Sequence, residues 1–408
     1  MLNKGPKLQV DIIDILMRFR LHEVVVIAHI RQMYRNIKLH PDDYDMQRIF
    51  WRFSPEEELQ EYCLTTVTYG MKSAPFLAIR TLHQLVCDEG AEFPVASRII
   101  RENTYMDDIV SSVRTIDEGL LLQCQLKKLL DRGGFELRKW LSNKFELLEN
   151  VPSEFCILKP EFFTFQYENQ PAAEILGLAW NPKKDKFSYK FDAGFGDITK
   201  RTILSEVARL FDPLGFISPV TFYGKWLIQY LWHCGLDWDD SPPEEVVAKW
   251  KQFRNELPLI SKFELRRCLK VDSAIDLQLQ AFADSSERGY AAVVYLRRVN
   301  SDETVATSLL IAKSKVAPIK RISLPRLELL GVVLATNLID YARDILLPHC
   351  VISDVVVWSD SMVALQWIKS SPHRWKSFIA NRVTMVQEKL SPNKFRYVPS
   401  DSNPSDIA

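Results

Sequence analysis

The chain has 408 residues, 47% of them apolar and 25% charged, so it is long enough for two or three domains with real cores and does not have the composition of a disordered chain. Its 52 basic and 52 acidic residues cancel, which excludes a binder acting through net charge alone but leaves local basic patches open. The seven cysteines are scattered with no CxxC pair, so neither a thiolate zinc site nor a disulfide framework is indicated, and no stretch approaches a membrane span or a signal sequence. An intracellular protein, cytoplasmic or nuclear, with reduced thiols and no membrane partner is expected.

In chain order, "EVVVIAHI" (23–30) is short, continuous and β-branched, the pattern of a buried strand. "SAPFLAIRTLHQLVCDEG" follows a glycine-containing turn at Gly70 and reads as a helix that Ser73 caps and Gly90 ends. "TYMDDIVSSV" reads as a hairpin with Asp107 and Asp108 at its tip. Two adjacent carboxylates among apolar neighbours are costly to bury unless a cation or donors balance them. "TIDEGLLLQCQLKKLLDRGG" is an amphipathic helix with capping-box spacing from Thr115 to Glu118, and "FELRKWLSN" is a further strand. Together these elements make an α+β unit over 1–196.

From 197 to 272 the texture is helical, with breaks at Pro213, Gly215 and Pro219, and this stretch reads as a connector. From 273 to 408 the pattern is three strands, a long helix, a strand running straight into a helix, another helix and a last strand. This is a mixed sheet with helices. Asp284 ends its first strand, Glu328 opens the long helix, Asp360 ends the fourth strand and Asp406 opens the last turn. Strand ends and helix starts of such a sheet converge on one edge. Four carboxylates meeting there suit hard divalent cations, Mg²⁺ or Mn²⁺, and two such ions support phosphodiester hydrolysis. Each acid also has an ordinary structural reading: a turn residue, a dipole-favoured surface acid, a helix cap and a tail residue, in that order. Their joint placement, not any one of them, carries the metal-site reading.

"FADSS", "LPRLELLG", "WSDSMVALQWI" and "NPSD" resemble the four-acid arrangement of ribonuclease H. The wording of "KSKVAP", "LPRLELLG", "DSMVALQWI", "VPSDSNPSD" and the connector "LFDPLGFISPV" is similar to the pol polyprotein of BEL/Pao-type LTR retrotransposons over essentially the whole chain. The resemblance implies a partial reverse transcriptase palm (1–196), a connector (197–272) and an RNase H domain (273–408). It implies that Asp284, Glu328, Asp360 and Asp406 ligate two metals and cleave the RNA strand of an RNA–DNA hybrid. The hybrid would be recognised by shape and by phosphate contacts. Lys313, Lys315, Lys320, Arg321 and Arg326 are candidates for those contacts, with a solvated loop face as the alternative reading.

"YMDD" resembles the reverse transcriptase catalytic hairpin, matched by Tyr105, Asp107 and Asp108, and "YGMKSAPFLAIRTLHQLV" with Gly70 and Ser73 resembles the helix motif that positions template and nucleotide. In that family a third acid lies on a neighbouring strand. The matching block here is "VIAHIRQMYRNI", with Tyr34 at the aromatic that excludes a ribose 2′-OH and His29 at the acid. Neutral imidazole is a poor Mg²⁺ ligand, and Glu23, Asp42, Asp43 and Asp45 are too far along the chain to substitute, so Asp107 and Asp108 are expected to remain as a degenerate metal site of two carboxylates that binds one metal weakly. Only 28 residues precede His29 and the chain stops just after Asp406. The expectation is therefore little fingers region, no useful DNA synthesis even after His29→Asp, and an Asp406 on a loose end. No Asp-Thr-Gly or Asp-Ser-Gly loop is present, and "DAG" at 192–194 lacks the hydroxyl, so an aspartic peptidase is rejected. Two readings stay open, a working RNase H on a silent polymerase platform and an inactive element remnant that at most binds nucleic acid. The oligomeric state is open as well.

Overall fold

The computed structural model describes residues 3–157, 172–191 and 196–407. "DAG" lies outside the described residues. The chain forms two compact units, Met1–Pro171 with Pro182–Asp185, and Ala172–Asn181 with Lys186–Ala408. The expected boundaries at 196/197 and 272/273 both fall inside the second unit. Among the described residues no helix is long and apolar enough to cross a membrane.

The first unit is built on a four-stranded antiparallel sheet of order β4-β5-β1-β6, where β1 is Val24–Ile30, β4 Thr104–Tyr105, β5 Asp108–Val113 and β6 Leu137–Leu141. A separate hairpin pairs β2 (Arg48–Trp51) with β3 (Gln60–Cys63). Side chains alternate along β1: Val24, Val26, Ala28 and Ile30 enter the core that α2 (Ala74–Glu89), α3 (Pro94–Glu102) and α4 (Ile116–Arg132) share. His29 therefore faces the opposite side of the sheet. There α1 (Ile12–Phe19) packs on β5 and buries Ile15, Leu16, Met17 and Phe19.

Capping chemistry is partly as the sequence implied. Thr115 Oγ1 accepts from Glu118 N at 3.2 Å, but the Glu118 carboxylate accepts from Arg114 N at 2.9 Å, one residue before the expected box partner. Thr115→Ala should cost the chain about 1 kcal/mol, read as a lower urea midpoint. Ser73 stands at the start of α2 with helical backbone angles and no side-chain cap, so that expected cap is absent.

The second unit carries a five-stranded mixed sheet, order β13-β12-β11-β14-β15, with β11 Ala274–Ser285, β12 Gly289–Asn300, β13 Val305–Val316, β14 Asp354–Ser359 and β15 Phe395–Tyr397. The first three strands form an antiparallel meander, and β14 pairs parallel with both β11 and β15. Helix α8 (Leu324–Leu346) lies across one face, and its buried side chains, from Leu327 to Leu346, form the core with β11 and β12. A small antiparallel sheet joins β7 (Ala173–Ile175), β8 (Leu178–Asn181), β9 (Lys186–Ser188) and β10 (Glu264–Arg266). Between them run α5 (Lys200–Ala208), α6 (Ser218–His233) and α7 (Glu244–Glu256). The turn before α6 seals the edge of β13: Ala312 N donates to Leu214 O at 2.8 Å, and Ser218 Oγ and Ser314 Oγ are 2.8 Å apart. The last two helices are α9 (Met362–Lys369) and α10 (Ser377–Lys389).

Candidate functional site

In the first unit, β1 and β5 run antiparallel with His29 directly opposite Asp108, and Ile30 N donates to Asp107 O at 2.8 Å. The turn between β4 and β5 places Met106 at φ 54°, and Met106 N donates to Gln9 Oε1 at 3.0 Å. This register delivers both carboxylates of "YMDD" to one imidazole. His29 Nδ1 is 2.9 Å from Asp108 Oδ1, and Nε2 is 3.6 Å from Asp107 Oδ2. Burial pushes the Asp107 carboxyl above its ordinary range, His29 opposes the rise, and Asp108 adds to it. Tyr34 packs edge-on to Tyr69 at 4.8 Å, and its hydroxyl is raised by burial and then by the Asp107 charge. Gly70 (φ 81°) and Ser73 lie at the turn before α2 and, among the described residues, hydrogen-bond to neither carboxylate. Magnesium does not fit this group. It takes oxygen ligands in octahedral geometry, whereas here an imidazole stands between the two carboxylates.

In the second unit, Asp284 is the penultimate residue of β11, Asp360 directly follows β14, and these strands are parallel neighbours. Glu328 is the fifth residue of α8, just past the first turn that the sequence suggested. One ligand oxygen from each of the three lies within 4.8 Å of the others. Burial raises the Glu328 carboxyl to about 8, with Asp360 and then Asp284 adding to it. Burial likewise raises Asp284 to about 6, with Asp360 and Asp406 contributing. Asp360 Oδ2 accepts from Ser400 Oγ at 2.6 Å, while its buried Oδ1 has no partner. The helix cap, the ordinary structural reading of Asp360, is instead supplied by Ser361, whose Oγ accepts from Ala364 N at 3.3 Å. An all-oxygen cluster with excess negative charge and an orphaned buried oxygen fits a hard divalent cation.

Asp406 is outside the three-carboxylate group but close enough to Asp284 that its charge adds to the rise of that carboxyl. The loose end expected there is instead pinned. Asn403, 5% exposed, donates from Nδ2 to Ala283 O at 3.0 Å, and Ser405, 1% exposed, donates from Oγ to Asn403 Oδ1 at 2.7 Å. The sequence offered no signal for Asn403, because its partner is on the first strand of the sheet.

The basic candidates divide. Lys313 and Lys315 are exposed on β13, and Lys315 pairs across with Tyr290, which in turn pairs with Ser285 beside Asp284. Arg321 bridges to Glu287 at 3.1 Å and Lys320 is exposed. Arg326 stacks on the Phe378 ring at 5.0 Å, and Arg382 stacks on the same ring at 3.6 Å. Burial lowers the Arg382 guanidinium, and the nearby Arg326 charge adds to that. Sequence reasoning missed Arg382: a lone arginine in an amphipathic helix carries no sign of its neighbour on α8.

Residues 199–361 match the Pao retrotransposon-like RNaseH-like domain family. No curated protein matches the chain. Among solved structures, the foamy viral protease-reverse transcriptase in complex with an RNA/DNA hybrid is similar with a TM-score of 0.56 and 13% identity, covering 97% of this chain and 46% of that one. The dRH form in complex with double-stranded DNA gives a TM-score of 0.54 and 14% identity, covering 99% of this chain and 61% of that one. The chain thus spans less than two thirds of these structures' length, and the likeness is one of fold. Over residues 199–361 the chain is thus similar to the Pao retrotransposon-like RNaseH-like domain family, and its fold is similar to that of the foamy viral structures.

Proposed function

We propose that the chain hydrolyses the RNA strand of RNA–DNA hybrids at its C-terminal acids, and that its polymerase-like unit does not synthesise DNA. One observation carries this reading: three carboxylates drawn within 4.8 Å of one another, with no cation among the side chains of the group. Asp284, Glu328 and Asp360, with Asp406 beside Asp284, would hold Mg²⁺ or Mn²⁺. The chemistry supplied by such ions is activation of water and charge neutralisation at the leaving oxygen. Ser400 fixes one Asp360 oxygen and leaves the other free for a ligand. Lys313, Lys315 and Arg326 are assigned to phosphate contacts, which position a duplex without reading its sequence. The solved neighbours bound to an RNA/DNA hybrid or double-stranded DNA support a nucleic acid partner. In functional terms 1–196 is the reverse transcriptase part, with Tyr34, Gly70 and Ser73 as its substrate contacts, 197–272 the connector and 273–408 the RNase H part.

The test is cleavage of a labelled RNA–DNA hybrid by the full chain in Mg²⁺ and in Mn²⁺, beside Asp284→Asn. The expected result is cleavage by the wild type, reduced at least about a hundredfold in the variant. Primer extension in Mg²⁺ on the same preparation should stay at background, because His29 occupies the position of the third acid. Folded wild-type protein that cleaves in neither metal would leave the inactive remnant as the better reading.

A further inference from the structure

The "YMDD" group that rejects magnesium has a donor set suited to another class of ion. His29 Nδ1 is at hydrogen-bond distance, 2.9 Å, from Asp108 Oδ1. A neutral imidazole donating there has an unprotonated Nε2, and that atom lies 3.6 Å from Asp107 Oδ2. Two acceptors facing each other across this gap repel unless something positive lies between them. The gap is too long for a hydrogen bond. It matches two metal bonds instead: with metal–nitrogen and metal–oxygen lengths of ~2.05 Å, a separation of 3.6 Å subtends about 120° at the ion.

We propose that His29 Nε2 and Asp107 Oδ2 seat a zinc-class dication, with Asp108 as the carboxylate that orients the imidazole. A carboxylate accepting from the second ring nitrogen of a histidine ligand fixes its tautomer and raises its basicity. The side chains of His29, Asp107 and Asp108 are 21%, 34% and 46% exposed, so the ion has a route from solvent and waters can complete its shell. Imidazole favours Zn²⁺, Co²⁺ and Ni²⁺ over Mg²⁺, so replacing an acid by His29 changes the selectivity of the site and does not merely weaken it. The inference does not depend on the hydrolytic activity proposed for the other unit.

The experiment is a Co²⁺ titration of the chelator-stripped full chain, read by visible d–d absorption, in about a thousandfold excess of Mg²⁺ and then with Zn²⁺ as competitor. The wild-type minus His29→Ala difference spectrum cancels binding by the cysteines and by the C-terminal acids. The expected result is one equivalent in that difference spectrum, displaced by Zn²⁺, resistant to Mg²⁺ and retained in Asp284→Asn. Asp108→Asn should bind about tenfold more weakly, and this half-exposed position keeps the test decisive if His29→Ala fails to fold. Identical titrations of wild type and His29→Ala, unchanged affinity in Asp108→Asn, or displacement by Mg²⁺ would each overturn the proposal. The first would leave a shared proton as the occupant of the gap.

Discussion

Glu328→Gln is expected to abolish hybrid cleavage and, at the same time, to make the metal-free chain more stable than wild type at pH 8. The second effect follows from the raised carboxyl. Its ordinary value is 4.5 and its folded value is about 8. The folded state therefore holds this proton more tightly than the unfolded state. The stability it contributes is complete below pH 4.5 and is lost as pH rises from there to about 8. The full shift corresponds to ~5 kcal/mol, and the partly solvated position brings the expected loss to about 2 kcal/mol. Glutamine mimics the protonated acid and does not titrate, so the variant escapes the loss. Urea midpoints should coincide near pH 4.5 and separate by pH 8, the variant higher, and Mg²⁺ or Mn²⁺ should narrow the gap by stabilising the wild type, with its full set of ligands, more than the variant. Equal midpoints at pH 8 without metal would show that burial and the neighbouring carboxylates do not raise Glu328 in the folded chain.

Gly215→Ala should be the most damaging single substitution outside the acid cluster. Gly215 adopts φ 73°, and a Cβ there would stand 1.9 Å from the carbonyl oxygen of Ala312. Left-handed backbone costs an alanine about 1 kcal/mol, and the clash is with main chain, which cannot rotate away. Relief requires moving the turn off β13 and breaking the Ala312 N to Leu214 O hydrogen bond. The same turn is held by Asp212, whose carboxylate accepts from Phe216 N and Ile217 N, both at 2.9 Å, and from the Tyr189 hydroxyl at 2.7 Å. A loss of at least about 3 kcal/mol is expected, seen as a lower urea midpoint and poor soluble yield. Wild-type stability in the variant would mean that the turn does not sit against β13.

These two positions show what the sequence disclosed and what it hid. Asp284, Glu328 and Asp360 were legible because strands and helices end where periodicity ends, and acids at those ends need a reason. The strands of the large sheet and the long helix α8 were legible in chain order. The "DPLGF" turn was visible as a break between helices, yet its role was not, since Ala312 lies almost a hundred residues further on. Helices α1 and α3 were missed because segments of eight and nine residues give few repeats of a 3.6-residue period. Ser400, Asn403 and Arg382 were invisible as site residues for one reason: each acts through a partner that only tertiary folding brings near.

The strand order of the large sheet also dictates a sequence of events. Strands β11, β12 and β13 are consecutive hairpins, and their contacts close over short loops. The β11–β14 pairing is parallel and spans the whole of β12, β13 and α8, so its loop-closure entropy is met only after the meander exists. Asp284 can thus be in place early, Glu328 when α8 docks, and Asp360 only with the last long-range pairing. On a growing chain the repulsive cluster assembles near the end of folding, after most of the apolar surface that opposes its cost is already buried. In the folded state the carboxylates are tolerated because the apolar burial around them outweighs their repulsion, and their late arrival keeps that repulsion out of the early steps.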